Sequence, residues 1–208
     1  MDDGLAITLF RHGITMGNKM KQYLGWNDSP LSEEAIQELL AYSLDQKPYD
    51  LFLSSDLQRC LTTFSLLFPE EHPITLTELR EMDFGIFAGK TYEELKESKA
   101  YQSWLNQIKQ VKPPGGESYA LFTTRVQKGW DKVRDIIIDN GATNPFIVTH
   151  GGVIRYLLSR YGPVEKSFWE WNIPHGTGIV LLFNQDQLRR GERCTLLREV
   201  LLTENEDG

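Results

Sequence analysis

Arg11-His12-Gly13 and His150-Gly151-Gly152 each follow a short apolar run, and Ser54-Ser55-Asp56 follows a third, with Arg59 one helical turn beyond it. Arginine presents a rigid fork of N–H donors matched to phosphate oxygens. Imidazole can attack as a nucleophile or carry a proton near neutral pH. The glycines beside both histidines let backbone approach a ligand closely, and a helix N-terminus beyond them favours an anion. Together these types fit chemistry at a phosphoryl group. The formal net charge of −7 makes the requirement sharper, because the overall field repels anions and the site must supply its own cations. The same charge argues against nucleic acid and anionic membranes as partners.

These side chains can meet only if their runs are neighbouring strands whose carboxyl ends share a sheet edge, where open α/β sheets bind ligands. Residues 5–10 (LAITLF), 50–54 (DLFLS) and 145–149 (PFIVT) read as those strands. Ser32 caps a helix with Glu33 and Glu34 in its first turn and Ile36, Leu39, Leu40 and Leu44 on its apolar face. Leu57, Cys60, Leu61, Phe64 and Leu67 mark the inward face of the next helix, closed by Pro69. A brief strand is expected over 74–76 and a broken helix with an aromatic face (Tyr101, Trp104) over 92–108. Pro113-Pro114-Gly115-Gly116 is a stiff turn. A long amphipathic helix over 118–138 carries Leu121, Phe122, Val126, Trp130, Val133 and Ile137. A helix over 153–158 and strands over 178–183 and 194–202 complete the chain. Alternating strand and helix predicts an α/β fold, a three-layer sandwich with a mostly parallel central sheet and helices on both faces. The chain has 208 residues, 40 % of them hydrophobic, which suits one domain over 1–208. Residues 92–138 read as a helical excursion that partly caps the site.

Other chemistries are disfavoured. No apolar run approaches the roughly 20 residues needed to cross a bilayer, and no signal-type segment follows Met1-Asp2-Asp3-Gly4. Cys60 and Cys194 stand far apart, which argues against a disulfide framework and for a cytoplasmic location. Neither cysteine has an arginine six positions later, as a cysteine-phosphatase loop requires. The four histidines, at 12, 72, 150 and 175, show no close-spaced ligand pair, so neither a metal nor another cofactor is expected. Gly85-Ile86-Phe87-Ala88-Gly89-Lys90-Thr91 is one residue short of a P-loop and lacks a strand before it.

The stretch Arg11-His12-Gly13-Ile14-Thr15-Met16-Gly17-Asn18 resembles the Arg-His-Gly-x-Thr-x-x-Asn signature of the histidine phosphatase (phosphoglycerate mutase-like) superfamily. Four further blocks are similar and follow in the family's order: Gly25-Trp26-Asn27-Asp28-Ser29-Pro30-Leu31-Ser32, Ser54-Ser55-Asp56-Leu57-Gln58-Arg59-Cys60, Leu79-Arg80-Glu81-Met82-Asp83-Phe84-Gly85 and Val148-Thr149-His150-Gly151-Gly152. Ile14 stands where many members have Glu, Ala35 where Gly is usual and Cys60 where Ala is common. The segment after Glu81 and the Gly115-Gly116-Glu117-Ser118 turn resemble the phosphatase branch, which includes α-ribazole phosphatases and broad-specificity phosphatases, rather than the cofactor-dependent mutases.

That resemblance implies metal-independent hydrolysis of a small phosphomonoester through a phosphohistidine on His12. Arg11, Arg59 and His150 would clamp the phosphoryl oxygens. Glu81 is the implied general acid and base, with Asp83 the competing carboxylate. Asn18, Leu24, Gly25, Gly151, Asp83 and Phe84 are candidate phosphate- or substrate-binding residues, and His175 could line the site. Phe84, Phe87, Tyr92 and Trp104 are candidate pocket walls. A cofactor-dependent phosphoglycerate mutase is the alternative, and a non-catalytic phospho-ligand binder a more distant one. A homodimer is an open alternative to a monomer.

Overall fold

The computed structural model describes residues 4–43, 48–200 and 203–204. Its strands are β1 (Gly4–Arg11), β2 (Tyr42–Ser43), β3 (Leu51–Ser54), β4 (Ile74–Thr75), β5 (Pro145–Thr149), β6 (Gly178–Asn184), β7 (Leu196–Glu199) and β8 (Thr203–Glu204). Its helices are α1 (Met16–Lys19), α2 (Glu33–Ala41), α3 (Gln58–Leu67), α4 (Tyr92–Leu95), α5 (Lys99–Asn106), α6 (Tyr119–Asn140), α7 (Gly151–Tyr161) and α8 (Gln185–Arg190). Six strands form one sheet in the order β4-β3-β5-β1-β6-β7, while β2 pairs with β8. Strands β4, β3, β5 and β1 run parallel, and β6 and β7 add an antiparallel edge.

Side-chain alternation along the central strands builds the layers. Leu5, Ile7 and Leu9 of β1 join Ile147 of β5 in a core with Phe122, Val126, Trp130 and Val133 of α6 and Ile154 and Leu157 of α7. Phe10 of β1 and Phe146 and Val148 of β5 point the other way, onto Leu39 of α2 and Cys60 and Phe64 of α3. The sheet is therefore covered on both faces, as expected. A third, aromatic cluster of Phe87, Leu95, Tyr101 and Trp104 fills the segment around α4 and α5. Ser118 accepts from the Leu121 amide and starts α6, and Gly141, in the left-handed conformation at φ 60, ends it.

Three details depart from expectation. Leu40 and Leu121 are exposed, because each lies at the margin of its helix's apolar stripe. Leu44 and the end of the expected 194–202 strand lie outside the described residues, and that strand spans Leu196–Glu199. Helix α8 has no counterpart in the sequence pattern: Leu188 is its single apolar residue, so no period can show.

Candidate active site

The parallel strands end on one edge. The His12 amide donates to Thr149 O at 3.0 Å and the Ser55 amide to Val148 O at 2.9 Å, so the ends of β1, β5 and β3 are stitched together. His12 and His150 are thereby brought side by side, with ring centroids 5.1 Å apart. His12 Nδ1 lies 2.8 Å from Gly13 O. A carbonyl only accepts, so Nδ1 carries the proton and Nε2 keeps its lone pair. That carbonyl is itself fixed, since the Gly13 amide donates to Thr63 Oγ1, which donates to Arg59 O.

Arg59 enters from α3 and is buried. Its Nη2 donates to Gly25 O at 2.6 Å, and its Nη1 to Asn27 O at 3.0 Å and to Asp28 Oδ1 at 3.2 Å. Asp28 also accepts from the amides of Gln58 and Arg59, capping α3. Arg11 Nη1 donates to Ile173 O at 2.5 Å. The Nε groups of both arginines are buried without a partner among the described residues. A hydrogen bond of 2.9 Å joins His150 Nε2 and Ser55 Oγ, and Cys60 Sγ lies 3.5 Å from the same nitrogen. His175 also packs against His12, with ring centroids 5.4 Å apart, and its Nε2 is buried without a partner among the described residues.

Glu81 is held over the first turn of α7. Its Oε2 accepts from the Gly152 amide at 3.0 Å and its Oε1 from the Met82 amide at 3.0 Å. A Cβ on Gly152 would stand 2.1 Å from Glu81 Oε1, and one on Gly151 3.0 Å from Arg11 Cζ. Both glycines are thus needed by side chains that approach the helix N-terminus. The segment carrying Glu81 is pinned from three sides. Thr149 Oγ1 donates to Leu79 O, Trp26 Nε1 to Glu81 O, and Arg125 Nη2 to Glu81 O.

The remaining candidates divide. Asn18 closes a capping box with Thr15, which occupies its Oδ1. Gly25, at φ 56, has Met82 O only 2.8 Å from where a Cβ would be and turns its carbonyl to Arg59; its neighbour Leu24 is buried beneath α1. Asp83 is directed into its own loop, where Oδ1 accepts from the Gly85 amide at 2.9 Å. Phe84 lines a cavity of about 290 Å³ walled by Tyr23, Trp104, Tyr119, Phe168 and Trp169, with Glu81 and Gly152 at its border. Phe87 and Tyr92, also expected as walls, are absent from that lining; Phe87 is buried in the aromatic cluster.

Charge follows from burial. Desolvation first, then the Arg59 and Arg11 charges, hold His12 well below the usual imidazole value. Burial and Arg59 do the same to His150, and burial and Arg11 draw His175 down to about 3. Burial lowers Arg11 to about 10, an effect that Glu81 opposes. At neutral pH the edge therefore holds three neutral imidazoles and two cationic guanidiniums. Such a set can take a phosphate, with the His12 Nε2 lone pair available to attack it and the Glu81 carboxyl group beside it. Among the described residues no group of three His, Cys, Asp or Glu side chains is placed to hold a metal, and no helix is long and apolar enough to cross a membrane.

The histidine phosphatase superfamily (branch 1) matches the chain over residues 7–192. The chain belongs to that superfamily. It is 27 % identical over 188 residues to the adenosylcobalamin/α-ribazole phosphatase of Escherichia coli K12, covering 87 % of this chain and 91 % of that protein. The Salmonella typhimurium protein of the same name is 29 % identical over 181 residues, covering 83 % and 87 %. Among solved structures, the α-ribazole phosphatase from Shigella flexneri superimposes with a TM-score of 0.79 at 25 % identity, covering 97 % and 96 % of the two chains. A phosphoglycerate mutase from Thermus thermophilus gives 0.69 at 28 %, covering 96 % and 100 %. The histidine phosphatase family, with its phosphoglycerate mutase-like fold, thus includes proteins named for both activities among this chain's relatives.

Several side chains that support this edge have no individual role that the sequence pattern assigns. Ser55 holds His150, Asp28 holds Arg59, and Trp26 and the Arg125–Glu117 pair hold the Glu81 segment. Arg125 lies seven residues after Ser118, two helical turns from the helix start where Glu117 stands. That spacing was the available signal.

Proposed function

We propose that this protein is a phosphomonoesterase that acts on a small phosphorylated metabolite through a phosphohistidine on His12, without a metal. In the first step His12 Nε2 attacks phosphorus while the ester oxygen leaves with a proton from Glu81. In the second, Glu81 takes a proton from water, whose oxygen attacks phosphorus, and the electron pair of the N–P bond returns to Nε2. Arg11, Arg59 and His150 meet the charge that spreads over the equatorial oxygens. The observation that carries this reading is the Nδ1–Gly13 O hydrogen bond, which leaves Nε2 unprotonated for attack beside two guanidiniums.

Hydrolysis is preferred to return of the phosphoryl group to a phosphoglycerate because the cavity at Glu81 is walled by aromatic rings, which a three-carbon acid would leave unfilled. A purely binding role is disfavoured because Arg11, His12, Arg59, Glu81 and His150 are all present. The test is hydrolysis of 4-nitrophenyl phosphate in EDTA by the native protein and His12→Ala, with acid-labile phosphoenzyme trapped by rapid quench. The expected outcome is turnover and trapping in the native protein and a loss of about 10³-fold or more in the variant. Full activity in His12→Ala would overturn the mechanism. Rapid phosphoglycerate isomerisation with negligible ester hydrolysis would reverse the order of the two enzyme readings.

A further inference from the structure

The cavity beside Glu81 contains donors that the reaction at phosphorus does not use. Arg155 lines it, and among the described residues its side chain makes one hydrogen bond, from Nε to Trp171 O at 3.0 Å. Among the described residues no carboxylate lies within 4.0 Å of its guanidinium. Its Nη groups have no protein acceptor among those residues, in a lining made otherwise mostly of rings. Tyr119 lines the same cavity, packs edge-on against Phe168 with centroids 5.5 Å apart, and offers a hydroxyl with no protein partner among the described residues.

Position along α7 gives these donors a direction. Gly152, whose amide holds Glu81, and Arg155 are three residues apart and share one helix face. Gly152 and Arg155 are about 4.5 Å apart along the helix axis, and the cavity is lined by both the acid and the guanidinium-bearing residue. Charged N–H groups left without an acceptor at the wall of a largely apolar chamber are the feature by which such pockets select a ligand's polar end.

We propose that Arg155, assisted by the Tyr119 hydroxyl, forms a second anion site, so that the substrate is an aromatic phosphomonoester with a carboxylate or similar anion at the end remote from the phosphate. This rests on the reading of the aromatic cavity as the leaving group's pocket. Arg155 fixes specificity, while Arg11 and Arg59 hold the phosphate.

The test uses two ligands that cannot be hydrolysed, benzylphosphonate and 4-carboxybenzylphosphonate, titrated calorimetrically into the native protein, Arg155→Met and Tyr119→Phe. The native protein is expected to bind the carboxylated compound at least about 10-fold more tightly. Arg155→Met should bring that compound down to the affinity of benzylphosphonate, and Tyr119→Phe should reduce the advantage several-fold. Tyr119→Phe keeps the tie from Arg155 to Trp171 and carries the test should Arg155→Met fail to fold. Equal affinities in the native protein, or an advantage that persists in the variants, would overturn the proposal. Because the readout does not involve turnover, an inactive native protein that still prefers the carboxylated ligand would refute the hydrolytic reading and leave the anion site standing.

Discussion

The proposed attack by His12 requires a bare Nε2, and two features of its surroundings keep it so. Gly13 O holds the proton on Nδ1, and burial together with Arg59 and Arg11 opposes a second proton. Nitrogen-15 NMR of the free protein should therefore show His12 as the Nδ1–H tautomer, unchanged from about pH 7.5 to 5.5. A ring that titrates near its ordinary 6.5 would contradict this. Gly152 is a second constraint at this scale. A methyl there would collide with Glu81 Oε1 at 2.1 Å, so Gly152→Ala should lower kcat by about 10²-fold or more through a displaced acid. Phosphate binding should survive, which competition by inorganic phosphate would measure. At the residue scale the strand-end arginines and histidines were legible, because their types are rare in such company and each follows an apolar run. Glu81 could be separated from Asp83 only by resemblance to a family. What distinguishes the two is direction, one carboxylate over α7 and the other folded onto Gly85, and direction leaves no trace in spacing.

The element that delivers Glu81 has almost no regular structure of its own, so other elements must hold it. Arg125 of α6 does so with all five of its N–H groups. Nε and Nη2 grip Glu117 at 2.7 Å each, Nη1 donates to Glu78 O and Arg80 O, and Nη2 also donates to Glu81 O. Lysine cannot reproduce that fork. Arg125→Lys should lower kcat about 10-fold or more with little change in KM. Arg125→Ala should in addition cost about 2 kcal/mol of stability, between the values for surface and buried pairs. Steady-state kinetics and urea unfolding would check the two, and a variant with altered KM and native kcat would show that Arg125 serves binding instead. Regular elements were readable where the apolar pattern was distinct: β1 and β5 stand out as short apolar runs, and α6 is long enough for a period of about 3.6 to show. The antiparallel course of β6 and β7 was not readable, since direction depends on the connection that precedes a strand and not on its composition. The Gly115-Gly116 turn was visible, but its purpose was not. Gly116 lets Asp83 O approach to 2.4 Å of where a Cβ would stand, which brings Glu117 within reach of Arg125.

Across the whole molecule, a chain of net charge −7 keeps two guanidiniums and three neutral imidazoles at one sheet edge, and this has a consequence for stability. His12 and His150 are held well below the usual imidazole value and His175 at about 3, whereas in the unfolded chain each titrates near its ordinary 6.5. Above that pH neither state binds the extra protons and the difference vanishes. Below it the unfolded chain takes them up and the folded one does not, so stability falls as pH falls. Each histidine contributes about 1 kcal/mol between about pH 6.5 and 5.5, about 3 kcal/mol together. The carboxylates whose values are lowered among the described residues, Asp56 by Arg80, Glu78 by Lys132, Glu34 by Lys19, Glu94 by Thr91 and Glu170 by Ser167, act mainly at lower pH, so this window reports chiefly on the site. Urea unfolding at the two pH values should show the fall, and His175→Gln should reduce it by about a third. An anion at the site reverses both effects. Inorganic phosphate at about 100 times its Kd should add about 2.7 kcal/mol. Because its charge offsets that of Arg11 and Arg59, it should also make protonation of the neighbouring rings less costly and flatten the pH dependence. A slope equally steep with and without phosphate would mean that the anion does not bind among these side chains, and the assignment of this edge as a phosphoryl site would fail with it.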